Sequence, residues 1–497
     1  MFRRRWSGLP ADPVFPADLK ELGYFINDID EIRSIENPDY YFKYFLTKND
    51  RWNDRQRFAF NEAVAKEILT RLKARGFDTI PLPLGTPSTQ PHIPILTSPD
   101  LPTKTRVVLL FGESCQSLSV LAHRVIGGRG GITRGSVLGF VEALNKQQSS
   151  ATDPAPPGLV IANPGELWWW PEGGRGLNPI ERHRVPMASA VHYGRYHDPK
   201  VNEVPGNRTV SEHVKGVFET VVMGDMVSKE AKVDVIVIGD VATEVEGYLN
   251  DDTVWERIGG KLNCMAILGG SYSSKYFKCE AFKQFMKKRA RAYIIHHTHL
   301  GSPVAGAGGN PGAAGFTSFG CPVFSAGDTQ VTETMLIEAQ PAVLNWIQQV
   351  ALEGETYKNV VLRIFGEEGT GITTEKIDSP WAAPEIEPDE GSNAVDQKEA
   401  TRIQDEPGKD TAVEDTAVED TAVEDTAVED NREDSPPTSV FMPSRLHVFA
   451  LEDTALENTA AEDNTPTRCQ STTLAHSQLW RILHYEMLDH ICKRGQA

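Results

Sequence analysis

The chain has 497 residues and a formal net charge of −19, with 40% hydrophobic and 24% charged residues. That length suffices for one large core or two ordinary ones. The charge is unevenly spread: residues 375–468 hold 26 Asp/Glu against 7 Lys/Arg, whereas the first 374 residues are balanced at 41 against 40. Such a balance argues against broad electrostatic binding of nucleic acid, which needs clustered Lys and Arg to displace counterions.

The six cysteines are scattered without a C-x-x-C pair, and no secretory pattern opens the sequence. No apolar run reaches the roughly 20 residues of a membrane span. A reducing compartment, nucleus or cytoplasm, is therefore expected, with no membrane partner. Of the densest basic stretches, "MKKRARA" reads as solvated helix surface ahead of a strand, and "FRRRW" as a weak nuclear-entry signal.

In chain order, turn and short-strand material leads into a long helix over 53–76. Asn53 or Asp54 is placed to cap it and Gly76 to end it, while Phe60, Val64, Ile68 and Leu72 recur every fourth residue. "PHIPILTSPDL" predicts a strand and turn. From Arg106 the rhythm becomes strand, loop, helix. "RVVLLFGES", "GLVIANPGE", "VDVIVIGDV", "LNCMAILGG", "AYIIHHTH" and "CPVFSAGD" supply the strands. "SLSVLAHRVIGG", "SEHVKGVFETVV", "CEAFKQFMKKRA" and "ETMLIEAQPAVLNWIQQVA" supply helices. Short Val/Ile/Leu runs bounded by glycine predict a mostly parallel α/β sheet with helices on both faces, of the α/β-hydrolase-like kind.

One domain is expected over residues 1–360. An acidic, disordered segment follows over 361–470, carrying four TAVED repeats within 410–430. A five-residue period matches neither helix nor strand, and its recurrent charges prevent burial of enough apolar surface to offset ordering. Residues 471–497 carry an amphipathic helical pattern suited to a partner or to the core.

The chemistry centres on "VDVIVIGDVATEVEGYL". A strand breaks at Ile238-Gly239-Asp240-Val241-Ala242 and a helix follows, the outline of a nucleophile elbow. Asp240 stands where the serine of G-x-S-x-G would be. Backbone N–H groups of Val241 and of Gly112 or Glu113 are candidate oxyanion donors. A carboxylate nucleophile forms an ester whose hydrolysis needs an activated water, hence a general base. The loop after the last strand, Ser325 to Thr334, contains Asp328 and Glu333 but no histidine, and none occurs between His299 and His447. Loss of such assistance removes about 10²–10⁴ in rate. The expectation is a silent elbow, with no confident catalytic residue; the alternative is a hydrolase using Asp240.

Other signals are weighed similarly. His297 and His299 alternate on a supposed strand and are weak metal candidates, the plainer reading being a polar strand end. Cys115 reads as a small buried thiol, and the "WWWP" run as a core plug. The glycine-rich "GGRGGITRGS" and "GAGGNPGAAG" lack the Lys-Ser/Thr ending of a phosphate loop. No cofactor or metal is expected.

The stretches "MFRRRWSGLPADPVFPADLKELGYFINDIDEIRSIENPDYYFKYFLTKNDRWNDRQR", "RVVLLFGES", "ANPGELWWWPEG", "VPGN" and "FTSFGCPVFSAG" resemble the fungal Arb-two domain over roughly residues 1–350. That domain is named for the second Argonaute-binding subunit of a small-RNA chaperone complex. Related domains end some fungal class II histone deacetylases. The resemblance implies an α/β-hydrolase-like body used for protein contacts, with Argonaute or a chromatin factor as partner, in RNA-guided heterochromatin formation. In relatives with a serine elbow and a late histidine, those positions correspond to Asp240 and the 330–334 neighbourhood here.

Overall fold

The computed structural model describes residues 8–192, 195–329 and 331–362. Its strands in chain order are β1 (Tyr24–Ile26), β2 (Ile32–Ser34), β3 (Asp78–Leu82), β4 (Ile93–Thr97), β5 (Arg106–Phe111), β6 (Gly158–Ala162) and β7 (Trp168–Trp170). They continue with β8 (Arg175–Leu177), β9 (Lys232–Ile238), β10 (Leu262–Leu268), β11 (Ala290–Ile294), β12 (Pro303–Ala305) and β13 (Val323–Ser325). The helices are α1 (Asp50–Ala74), α2 (His123–Ile126), α3 (Gly131–Gly135), α4 (Val137–Leu144) and α5 (Pro199–Asn202). After them come α6 (Val210–Gly216), α7 (Val241–Leu249), α8 (Asp252–Ile258), α9 (Glu280–Arg289) and α10 (Met335–Glu353).

Nine strands form one sheet in the order β12-β13-β11-β10-β9-β5-β6-β4-β3. The run from β13 to β6 is parallel, β4 lies antiparallel between β6 and β3, and β12 closes the other edge antiparallel. The strands read as unbroken apolar runs because both faces are covered. Alternate residues nonetheless part cleanly. Val108, Leu110, Ile236 and Ile238 pack with Val64, Ile68, Phe140, Val343 and Ile347 of α1, α4 and α10. Val107, Leu109, Val235 and Val237 pack with Val214, Phe218, Val245, Phe282 and Met286 on the opposite face. Each such aliphatic side chain removed from water contributes roughly 1.5–3 kcal/mol before entropy.

At the amino end of the central strands, Arg106 and Asp234 form an ion pair of 2.6 Å with side chains 1% and 0% exposed. The guanidinium also donates to Gln148 O and Ile347 O, and Asp234 accepts from Asn263 Nδ2 at 2.6 Å. This pair ties β5, β9, β10 and α10 together.

Several boundaries differ from the sequence expectation. The long helix starts at Asp50 because Asn49 caps it, accepting from Arg51 N at 3.0 Å. Asn53 is buried, its carbonyl taking the N–H groups of Leu46 and Thr47. The helix expected over 117–128 shrinks to α2. Ser119 takes a left-handed φ of 71°, and Leu118 N donates to Glu166 instead of to a helical carbonyl. The helix over 210–222 is α6 followed by a π-helical turn, Val217–Val222. The tryptophan run forms the hairpin β7–β8, its Trp168 and Trp170 packing with Phe58, Leu177 and Val185. The acidic repeats and the 471–497 helix lie outside the described residues.

Candidate functional site

The carboxyl ends of the parallel strands gather the polar loops onto one edge. Strand β5 feeds Gly112-Glu113-Ser114-Cys115-Gln116, β9 feeds Gly239-Asp240, β10 feeds Gly269-Gly270, and β13 leads towards Glu333. In open α/β sheets this edge is where ligands bind.

The turn after β9 is sharp, but its left-handed residue is Gly239, with φ of 66°. Asp240 is right-handed, φ −73° and ψ −19°, and stands at the N-cap position of α7 without a side-chain cap bond. The apex therefore falls one residue before the aspartate. Gly239 N is fixed to Leu268 O at 2.8 Å. A Cβ on Gly239 would lie 2.9 Å from Glu113 Oε1 and 3.1 Å from Glu113 Cγ. The space into which an apex side chain would project is thus filled by the buried Glu113 side chain.

Asp240 is turned to the neighbouring loop. Ser114 Oγ lies 3.0 Å from each of its carboxylate oxygens, sharing one proton between them. One turn on, Glu244 is pushed up in pKa by burial and by the charge of Asp240, against a hydrogen bond from Ser211. Val241, the expected oxyanion donor, begins α7 and is fully buried; Gly112 is open, since a Cβ there would meet nothing within 4 Å.

A second chain of contacts runs along the edge. Gln116 donates from Nε2 to Glu333 Oε2 at 2.8 Å, and Arg124 pairs with the other oxygen of Glu333. The amide oxygen of Gln116 consequently faces His123 Nδ1, at 3.2 Å. Burial and the charges of Arg57 and Arg184 hold His123 down at a pKa of about 3, so it is neutral at physiological pH.

The other histidines have different partners. His192 meets Ser189 at 2.8 Å and His296 meets Thr298 at 2.9 Å. Strand β11 ends at Ile294, so His297 and His299 stand on an exposed loop and not on a strand face. His297 stacks its ring on His296 at 4.2 Å. Among the described residues no group of three His, Cys, Asp or Glu is placed to hold a metal. Two features escaped the sequence reading. His213, fully buried, accepts from Asn163 N at 3.0 Å and contacts Asn207 Oδ1 at 2.7 Å. Ser114 also gave no motif, and only the fold carries it to Asp240.

A model of the Arb2 domain family matches residues 15–300, more than half of the chain. The chain belongs to the Arb2 domain family. No curated protein matches it. The matched part of the Arb2 domain contains the loops of Glu113, Ser114 and Asp240 and ends after β11. Strands β12 and β13, Glu333 and α10 complete the same sheet and edge beyond it.

Proposed function

We propose that the Arb2 domain of this chain is an α/β-hydrolase-like body without the hydrolase chemistry, acting as a scaffold or regulator through protein–protein contacts. The strand order supports the hydrolase-like reading. Counted along the sequence within the large sheet, it runs first, second, fourth, third, fifth, sixth, seventh, ninth, eighth, with the second and eighth strands antiparallel. The turn after the fifth strand is where that architecture presents its nucleophile.

The observation that carries the non-catalytic reading is the apex itself. Gly239 has no side chain to attack with, and Glu113 occupies the space a nucleophile would use. The loop after β13 supplies no histidine to activate a water. Asp240, the alternative nucleophile, sits on the helical side of the turn and is held by Ser114.

Family membership supports partners of the Argonaute or chromatin-factor type, in small-RNA-directed gene silencing in nucleus or cytoplasm. No helix among the described residues is long and apolar enough to cross a membrane. Two measurements test the reading. Ester hydrolysis by wild type and Asp240→Ala should equal the uncatalysed background; turnover lost in the variant would restore the enzyme. Affinity capture of the full chain from a fungal extract should enrich an Argonaute or a chromatin protein; enrichment of neither over a control bait removes the partner assignment.

A further inference from the structure

The glycines at the carboxyl edge are roofed from two sides. A Cβ on Gly269 would stand 3.0 Å from Thr332 Cγ2, 3.5 Å from Met335 Sδ and 3.8 Å from Gly239 Cα. Thr332 and Met335 therefore close over the pair Gly239 and Gly269 from one side, as Glu113 closes over Gly239 from the other. Under this roof Gly239 is buried, and Met335 itself is 1% exposed.

Little holds the turn 331–334 that carries this cover. Among the described residues its backbone bonds only within itself and into α10, Thr334 N to Val331 O at 3.2 Å and Met335 N to Thr332 O. Its polar contacts with other elements come from one side chain. Glu333 accepts from Gln116 Nε2 at 2.8 Å and pairs with Arg124 of α2. The body's half of this junction is fixed independently. A Cβ on Gly165 would stand 1.8 Å from Gln116 O, so the β5 and β6 loops meet backbone to backbone, and Leu121 N and Ala122 N ahead of α2 donate to Gly135 O. Arg124 is 54% exposed, so water screens its share of the attraction. A segment with few backbone bonds to its surroundings opens locally at a fraction of the global unfolding free energy.

We infer that the turn 331–334 is a detachable cover over Gly239 and Gly269, and that Glu333 is its latch. Opening breaks two contacts at a single carboxylate, leaves the Gln116 amide on His123, and uncovers Met335 and the backbone of the glycine pair. The device governs access to the carboxyl edge whether that edge is silent or reactive, so it stands apart from the scaffold reading.

Methionine oxidation reads the opening, since a thioether is converted to sulfoxide only where peroxide reaches it. When reclosing outpaces oxidation, the rate follows the open population. The full chain is treated with dilute hydrogen peroxide and each sulfoxide is followed by peptide mass spectrometry. Met335 is the probe. Met265 and Met286, both 0% exposed, report global unfolding, and Met223, 38% exposed, sets the accessible rate. In wild type Met335 should oxidise far more slowly than Met223. Glu333→Ala should raise the Met335 rate about tenfold through loss of charge-assisted hydrogen bonds, with Met265 and Met286 unchanged. Glu333→Gln, which keeps one acceptor, should fall between the two. Gln116→Ala should speed Met335 oxidation on its own and add nothing to Glu333→Ala. Wild-type Met335 oxidising as fast as Met223, an unchanged Met335 rate in Glu333→Ala, a parallel rise at Met265 and Met286, or additive effects of Gln116→Ala and Glu333→Ala overturns the proposal.

Discussion

The occupancy of the elbow by Glu113 gives a quantitative test. In Gly239→Ala the new methyl group inherits a φ of 66° and a Cβ placed 2.9–3.4 Å from Oε1, Cγ and Cδ of Glu113. The left-handed backbone costs about 1–2 kcal/mol for a residue with a Cβ. The contact with Glu113 adds to that, since a buried carboxyl must shift into packed surroundings. Gly239→Ala should therefore lose about 2–3 kcal/mol in urea unfolding. Repeating the change in a Glu113→Ala background leaves the backbone strain and removes the contact. The two substitutions should couple by about 1 kcal/mol, the double variant being more stable than the sum predicts. Additivity within about 0.5 kcal/mol would mean that Glu113 does not fill the apex space, and the case for a blocked elbow would fall with it.

Gly239→Ser combined with Glu113→Ala restores a hydroxyl at the apex, yet should show no ester turnover above background because no imidazole serves it; measurable turnover would identify an unrecognised base. Glu246 is fully buried in α7, with neither carboxyl oxygen hydrogen-bonded, and burial drives its pKa well above 4.5. Its contribution is most favourable below pH 4.5 and is lost as pH rises through the raised folded value, so Glu246→Leu should stabilise, by about 1–3 kcal/mol near neutrality, with a smaller gain at pH 5. Asp234→Ala strands the buried Arg106 and should cost about 3–5 kcal/mol in denaturant midpoint analysis, whereas Arg106→Met with Asp234→Leu should recover most of it. Glu219, held at a pKa of about 2 by its hydrogen bond and charge pairing with Arg257, contributes stability above pH 4.5 that disappears towards pH 2; Glu219→Gln should flatten that acid limb.

The sheet was readable because its signal is local. Runs such as Val107–Phe111 and Val233–Ile238 announce buried parallel strands from composition alone, and the glycine after each marks its end. What failed was decided at a distance. The sequence over 117–128 has helical periodicity, but Glu166 and Gly135 claim the N–H groups of Leu118, Leu121 and Ala122, so the chain is held open. Asn53 looked like a cap and became a buried bridge to Leu46 and Thr47 once Asn49 had taken the helix start. Strand β3, with Pro81 in it, sits at a sheet edge, where a missing N–H is tolerated.

At the turn after β9, reaction chemistry and backbone chemistry single out different residues. In the sequence, Asp240 is the only reactive side chain between strand and helix, and reaction chemistry draws the eye to it. Backbone chemistry selects Gly239, since a turn this tight needs a positive φ and only glycine adopts it without cost. Once the apex lacks a Cβ, the room above it goes to whatever lies on the neighbouring β5 loop, and that is Glu113. Asp240 is then free of the geometric strain of a nucleophile and settles as an ordinary helix-start anion under Ser114. A glycine at that turn, with a carboxyl packed over it, carries neither the strain nor the side chain of a nucleophile.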